Sequence, residues 1–150
     1  MNTRTDITCR PATLAEILPL REAVIIRGTG RPAEFPGDHE PDTLHYGAFL
    51  GTETIGCATF MLTQWYGEPA YQLRGMATRS GERGSGVGRA LLASAEAHIR
   101  AQTAVRQLWC SARVAAIPFY LKQGWSVVSD EFDVPNVGPH RKMCKRVSDE

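Results

Sequence analysis

Three glycines within five residues stand directly before an apolar segment with helical spacing. The stretch reads Arg83-Gly84-Ser85-Gly86-Val87-Gly88-Arg89, and ALLASAEAHI follows it. The first turn of a helix presents unpaired N–H groups and the positive end of the helix dipole. Glycines let a phosphate group approach that backbone, and arginine can bind phosphate oxygens through two parallel hydrogen bonds. The segment therefore predicts a site for a phosphorylated ligand, most simply a pyrophosphate.

Two common phosphate-binding motifs do not fit this spacing. A dinucleotide fingerprint needs GxGxxG, but counting from Gly84 or Gly86 places Arg89 or Leu91 where the third glycine should stand. A P-loop needs a Lys after its last glycine, and no Lys directly follows any of these glycines. The spacing therefore disfavours a nucleotide-dependent oxidoreductase.

The elements that must hold this loop can be predicted from periodicity and turn residues. Strands are expected at residues 5–10, 44–50, 54–62, 70–78, 105–111, 125–128 and 140–147. Gly75 indicates a bulge within the fourth of these strands. Helices are expected after the capping box that begins at Thr13, from about 87 to 102, and from 115 to 123. Pro19 should kink or restart the first helix, and residues 28–42 read as a long loop that forms one wall of a site.

This order of elements predicts an α/β (α+β) fold. We expect a mixed, mainly antiparallel sheet of six to seven strands flanked by helices, in a single domain over residues 1–150. The net charge of +1 creates no global attraction to nucleic acid or membrane, and the apolar runs are too short to span a bilayer. Four scattered cysteines without a CxxC pair, and no apolar leader, are typical of a reduced cytoplasmic protein without a metal site.

Three landmarks, in order and at matching spacing, resemble one family. The segment from Arg83 to Gly88 fits Q/R-x-x-G-x-G/A, and the LRGMAT run precedes it. The segment SARVAAIPFYLKQGW resembles N-x-x-A-x-x-x-Y-x-x-x-G-F, with Trp125 in place of Phe and Arg113 where Asn is common. From residue 73 to 125 the chain thus resembles the GNAT superfamily of acyl-CoA-dependent N-acyltransferases, whose fold has the same predicted architecture.

The resemblance implies that acetyl-CoA is bound in a gap between two neighbouring strands, residues 71–78 and 105–111. Backbone groups of the first strand would pair with the pantetheine arm, and an N–H there would favour the charge that develops on the thioester oxygen. The pyrophosphate would rest on amides of the glycine loop. Arg113 would contact the pantetheine or a phosphate, or would be solvated, and both alternatives are open. The cofactor-binding residues implied in this way are Met76, Ala77, Thr78, Arg83, Gly84, Ser85, Gly86, Val87, Gly88, Arg89 and Arg113.

The resemblance also implies a catalytic residue, Tyr120. The departing thiolate of coenzyme A needs a proton or a hydrogen bond, and this phenol lies at the family's motif position. The alternative is a tyrosine packed in the core with its hydroxyl satisfied.

A base that deprotonates the acceptor amine is harder to identify. Members of the family often use a carboxylate on the strand before the glycine loop, but this strand offers Gln72 and Arg74. The remaining candidates are His45, the acidic loop at residues 38–40 and His140, since histidine suits proton transfer near pH 7. We expect the acceptor to contact His45, Gln72, Arg74 and His140.

The function expected from these residues is N-acetyl transfer from acetyl-CoA to a primary amine of a small molecule or peptide, by direct attack on the thioester. The alternative is a non-catalytic acyl-CoA-binding regulatory module, which would share the glycine loop. No metal, nucleic acid or membrane partner is expected. Because many relatives are dimers, the resemblance leaves a homodimer open.

Overall fold

A computed structural model of the protein describes residues 6–82 and 84–148. Eight strands of this part of the chain form one sheet, and three α-helices lie against it. The strands are β1 (Ile7–Pro11), β2 (Leu44–Leu50), β3 (Glu53–Trp65), β4 (Glu68–Thr78), β5 (Gln107–Arg113), β6 (Ser126–Val127), β7 (Phe132–Val134) and β8 (Gly138–Arg146). The helices are α1 (Leu14–Arg21), α2 (Val87–Gln102) and α3 (Ile117–Lys122).

The order of strands in the sheet is β1-β2-β3-β4-β5-β8-β6, and β7 pairs with β8. Every pair is antiparallel except β4 with β5, which are parallel. The predicted mixed, mainly antiparallel class is therefore confirmed. The predicted number of strands was too low, because β7 is a three-residue strand with little apolar pattern. The Pro- and Gly-rich turn lies between β7 and β8 and closes that hairpin.

The two faces of the sheet are covered by different helices. Along β3, Cys57 packs with Ile17 of α1, whereas its neighbour Ala58 belongs to the core built on Leu91 of α2. Successive side chains of a strand point to opposite faces, so α1 and α2 lie on opposite sides of the sheet. The larger core, on the α2 side, also contains Tyr120 of α3.

The start of α1 follows from a capping motif in its sequence. Thr13 accepts a hydrogen bond from the Glu16 N–H, and Glu16 returns one to the Thr13 N–H, which confirms the predicted capping box. Pro19 lies inside α1, and the chain continues into a π-helical turn, Glu22–Ile26. The helix does not restart at Pro19, since α1 continues to Arg21. None of the described helices is long and apolar enough to cross a membrane.

The parallel pair β4 and β5 separates at a bulge, and this separation forms the site. Pairing between the two strands covers Ala70–Leu73 with Gln107–Cys110, although both strands continue beyond it. On the other side of β4, the register with β3 shifts so that Gly75 and Met76 oppose one residue. Gly75 has a φ of +61°, which favours glycine, and the predicted bulge is confirmed.

Candidate active site

A cleft of about 1010 Å³ runs through the fork between β4 and β5. One end lies at the glycine loop and the first turn of α2, and α3 forms a wall at the middle. The other end is bounded by the π-helical turn, by the long loop before β2 and by the β7–β8 hairpin. The fold therefore brings together the glycine loop, the fork and most of the side chains that the sequence indicated.

The glycine end has the backbone geometry that a phosphate site needs. Gly84 and Gly86 have φ values of +78° and +91°, and Gly86 caps α2 without a side-chain hydrogen bond to the first turn. Gly84, Ser85, Gly86, Gly88 and Arg89 line the cleft. A helix of 16 residues begins there, so its N-terminal amides and dipole face this end. This cradle fits a pyrophosphate.

Three residues near this loop differ in what they can contribute to binding a phosphate. Val87 directs its side chain into the core, at 1% exposure, so it could contribute its backbone alone. Arg79 is bound by Glu53 and Glu82 at 2.9 and 3.1 Å and does not line the cleft. Arg89 is exposed and does line it. Arg83 lies outside the described residues.

The middle of the cleft exposes two strand edges that do not pair with each other. Beyond Leu73 and Cys110, the facing edges of β4 and β5 carry no ladder hydrogen bonds to one another. Met76, Ala77 and Thr78 line this gap from β4, and Arg113 lines it from β5 with an exposed side chain. Unpaired backbone groups at such an edge are available to a ligand with amide groups.

Tyr120 lies at the fork, between the glycine end and the other end of the cleft. Its ring packs against Phe119 and Trp125, with centroids 5.2 and 5.4 Å away. Its hydroxyl donates to the Met76 Sδ at 3.6 Å, and a thioether is a weak acceptor. Burial, with a smaller contribution from Cys110, raises the pKa of Tyr120 above that of a free phenol. The phenol therefore keeps its proton and can donate a hydrogen bond to a stronger acceptor.

A thiol also lies at the fork, where the pairing of β4 and β5 ends. Cys110 lines the cleft and is buried. Burial raises the pKa of Cys110 to about 12. The thiolate is the nucleophilic form of cysteine, so this residue is a poor nucleophile at neutral pH.

The cleft is lined by three of the four side chains expected to contact the acceptor. These are Gln72, Arg74 and His140, whereas His45 does not line it. The His45 ring is buried and uses both nitrogens, with Thr59 Oγ1 and the Asp38 carbonyl oxygen each at 2.9 Å. Its placement leaves neither nitrogen for a molecule in the cleft.

His140 is buried at the rim of the cleft with one nitrogen engaged. Its Nδ1 lies 2.8 Å from the Gly138 carbonyl oxygen, which can only accept, so Nδ1 carries the proton. In the neutral ring Nε2 is then the unprotonated acceptor. Among the described residues, Nε2 has no hydrogen-bond partner. This is the tautomer that a general base requires.

A buried ion pair that the sequence analysis missed supports this end of the cleft. Arg21 donates to Asp38 at 2.8 and 3.2 Å and to Thr59 Oγ1 at 2.7 Å, and its side chain is fully buried. Asp38 also accepts the Phe35 N–H at 2.6 Å. Arg21 follows Ile17 by four residues and so lies on the buried face of α1. This spacing was the sign in the sequence that Arg21 is buried.

The other two residues of the loop at 38–40, which the sequence suggested as possible bases, do not line the cleft. His39 is exposed and paired with Glu34 at 2.8 Å, and Glu40 lines a separate hollow of about 360 Å³ beside the cleft. Within residues 6–82 and 84–148, no three His, Cys, Asp or Glu side chains are grouped so that they could hold a metal ion.

Comparisons with known proteins agree with this architecture. The family model described as "Acetyltransferase (GNAT) family" matches residues 16–125. The chain is 36% identical over 118 residues to the uncharacterized N-acetyltransferase YitI of Bacillus subtilis (strain 168), which covers 75% of this chain and 76% of that protein. The chain thus belongs to the GNAT acetyltransferase family and is an acyltransferase enzyme.

Solved structures share the fold over almost the whole chain. Escherichia coli ElaA superimposes with a TM-score of 0.78 at 17% identity, covering 93% of this chain and 99% of that one. An aminoglycoside 6′-N-acetyltransferase complexed with coenzyme A gives a TM-score of 0.73 at 14% identity, covering 94% and 97%.

Proposed function

We propose that this enzyme transfers the acetyl group of acetyl-CoA to a primary amine of a small molecule or peptide. The observation that carries the proposal is the fork between β4 and β5, which has unpaired edges and lies between a glycine cradle and a buried phenol. The coenzyme A complex of the aminoglycoside 6′-N-acetyltransferase, which has this fold, supports the choice of donor.

The donor is held by backbone groups in this proposal. The amides from Gly84 to Arg89 receive the pyrophosphate, and Arg89 and Arg113 are cations that line the cleft. The sequence motif adds Arg83 to the proposed donor site. The β4 edge at Met76–Thr78 pairs with the pantetheine arm and directs an N–H at the thioester oxygen, where it favours the negative charge that develops during attack. The thioester supplies the activated acetyl group.

The acetyl group passes directly from sulfur to nitrogen. The amine nitrogen attacks the thioester carbon, a C–N bond forms, the C–S bond breaks and the thiolate leaves. Tyr120 donates a hydrogen bond to that sulfur and stabilises its negative charge, because the phenol is neutral and its present acceptor is weak. A relay through Cys110 is disfavoured, since a thiol with a pKa of about 12 has little thiolate at neutral pH.

The acceptor arrives as an ammonium ion and must lose a proton before attack. His140 is the base in this proposal, because its Nδ1 is fixed on the Gly138 carbonyl and its Nε2 is available at the cleft. Holding the amine and the thioester together contributes the remaining acceleration, for which about 7–11 kcal/mol is attainable.

A pair of glycine variants tests the donor site. Gly86 and Gly81 have nearly equal φ values, +91° and +93°, but Gly86 lines the cleft and Gly81 does not. We expect Gly86→Val to weaken acetyl-CoA binding by more than about tenfold in calorimetry, because a side chain there blocks approach to the amides and each lost charge-assisted hydrogen bond is worth about 1.5–3 kcal/mol.

Gly81→Val is the matched control for backbone strain and should leave the affinity close to that of the wild type. Equal affinities in the two variants would contradict the donor site. A thiol-release screen over polyamines, amino acids, aminoglycosides and N-terminal peptides then tests transfer itself, and binding of acetyl-CoA without turnover on any amine would contradict the enzymatic proposal.

A further inference from the structure

Two arginines at the far end of the cleft have no anionic partner among the described residues. Arg74 projects from β4 and Arg31 from the long loop, and both are half-buried in the lining. Neither forms an ion pair, although most arginines near them do: Arg21 is bound by Asp38, and Arg27 by Glu22 at 2.9 Å. A half-buried charge without a counter-charge is unfavourable, so these two cations are available to a ligand.

The surroundings of Arg74 concentrate positive charge. Its guanidinium lies 4.5 Å from the centroid of the Phe35 ring, and the Arg21 guanidinium lies 4.0 Å from the same centroid. Burial, followed by Arg31 and Arg21, lowers the pKa of Arg74, and Asp38 opposes this. The carboxylate of Asp38 is already used by Arg21 and by the Phe35 N–H. Arg31 and Arg74 therefore remain without a carboxylate bound to them among the described residues.

Apolar side chains lie beside these arginines and strengthen their interaction with a bound anion. Phe35 lines the far end of the cleft together with Val24 and Ile25 of the π-helical turn. Charges near such walls are less screened than charges in open solvent. The planar guanidinium can bind a carboxylate or a phosphate through two parallel hydrogen bonds, which gives orientation as well as affinity.

We infer that the acceptor is an amine that also carries an anionic group, carboxylate or phosphate, which is bound by Arg31 and Arg74. The inference rests on the proposed transfer to an amine and specifies its substrate class. The reacting nitrogen would then lie at the fork near Tyr120 and His140, with the anion held on the long-loop side. The acidic residues Glu40 and Asp42, which could favour a cationic polyamine, line the adjacent hollow, which Arg74 also borders, but they do not line the cleft and form no ion pair with Arg74 among the described residues.

Matched pairs of acceptors test the inference on the whole enzyme. Thiol release from acetyl-CoA is compared for an amino acid against its carboxamide, for glucosamine 6-phosphate against glucosamine, and for spermidine. At least one anionic member should exceed its neutral partner by about tenfold or more in kcat/KM. The carboxylate and phosphate pairs distinguish the two sources of charge. A preference for the neutral members or for spermidine would overturn the inference.

Variants of the two arginines test whether they cause the preference for an anionic acceptor. Arg74→Gln and Arg31→Gln should each lower kcat/KM about 10- to 100-fold for the anionic acceptor, mainly through KM, while Arg74→Lys should retain part of it. The ratio of anionic to neutral turnover should therefore fall in both Gln variants. Arg27→Gln, an exposed arginine of the same region, is the control. An unchanged ratio of anionic to neutral turnover in both Gln variants would overturn the inference.

A binding measurement separates this inference from the proposed function. With the donor site saturated by coenzyme A, succinate and inorganic phosphate are titrated into the wild type and into the Arg31→Gln/Arg74→Gln double variant. Saturable binding of one anion that the double variant loses supports the anion site even if no amine is acetylated. Absence of saturable binding to the wild type, or equal binding to both proteins, overturns it.

Discussion

Tyr120 combines a neutral hydroxyl with a weak acceptor, and this combination predicts that it stabilises the departing thiolate by a hydrogen bond. We expect Tyr120→Phe to lower kcat by about 10²–10³-fold, the usual contribution of one positioned donor to a developing charge, while the dissociation constant of acetyl-CoA stays close to that of the wild type. The hydroxyl bonds a single thioether, so its loss leaves no strong hydrogen-bond partner unsatisfied. Thiol release and calorimetry provide the two readouts, and an unchanged kcat would contradict the assigned role.

His140 leads to a different prediction, one that separates turnover from donor binding. His140→Gln removes the acceptor nitrogen Nε2 and should lower kcat/KM at neutral pH by about 10²–10⁴-fold, while the dissociation constant of acetyl-CoA stays close to that of the wild type. His39→Gln alters an exposed histidine paired with Glu34 and should behave as the wild type. An unchanged kcat/KM of the variant at 140 would show that another group is the base.

At the scale of elements, local chemistry made the glycine end of the cleft predictable from sequence. The glycine loop, the capping box at Thr13 and the bulge at Gly75 depend on short stretches of chain whose conformations follow from residue type. The predicted start of α2 near Gly86 follows from the same local chemistry. The gap between the strands at residues 71–78 and 105–111 was predicted from the family resemblance instead.

The acceptor side depends on contacts between residues far apart in sequence, and these were not predictable. Arg21 meets Asp38 and Thr59 across separations of 17 and 38 residues, so no local pattern indicates the pair. His45 and His140 were both candidate bases in the sequence, and only the packing shows that both nitrogens of His45 are engaged. The short strand β7 was missed because three residues carry too little periodic pattern.

The Arg21–Asp38 pair is expected to stabilise the junction of α1, the long loop and β3. Asp38→Asn should lower the free energy of unfolding by about 3–5 kcal/mol, because it leaves a buried guanidinium without its counter-charge. Glu22→Gln breaks the exposed Arg27 pair and should change stability by no more than about 0.5 kcal/mol. Urea denaturation measures both, and equal effects of the two substitutions would contradict a structural role for the buried pair.

The Arg21–Asp38 pair also makes the stability of the folded protein depend on pH in the acid range. Burial by itself raises the pKa of Asp38, but hydrogen bonds from Arg21 and the Phe35 N–H more than offset this, so the pKa lies below the ordinary carboxyl value. The unfolded chain therefore binds the proton first. The stabilisation is present above the ordinary carboxyl pKa and is lost as pH falls through the lower, folded value. Asp38→Asn should remove this part of the acid dependence.

At the scale of the whole molecule, the sheet has two parts, β1–β4 and β5–β8, joined by four parallel residue pairs between β4 and β5. A ligand in the fork contacts both parts, so coenzyme A should stabilise the entire fold. At a free concentration one hundred times its Kd, the gain is about 2.7 kcal/mol, which corresponds to a Tm increase of roughly 5–10 °C for a chain of this size.

Hydrogen exchange shows whether this stabilisation comes from the fork. Amides of Met76–Thr78 and of the first turn of α2 should gain the largest additional protection when coenzyme A is added, because they are the donors without sheet or helix partners on the cleft side. The Gly86→Val protein, at the same ligand concentration, should show little change in Tm or protection. Protection confined to any other face of the sheet would place the ligand outside the fork and would remove the physical basis for the roles of Tyr120 and His140.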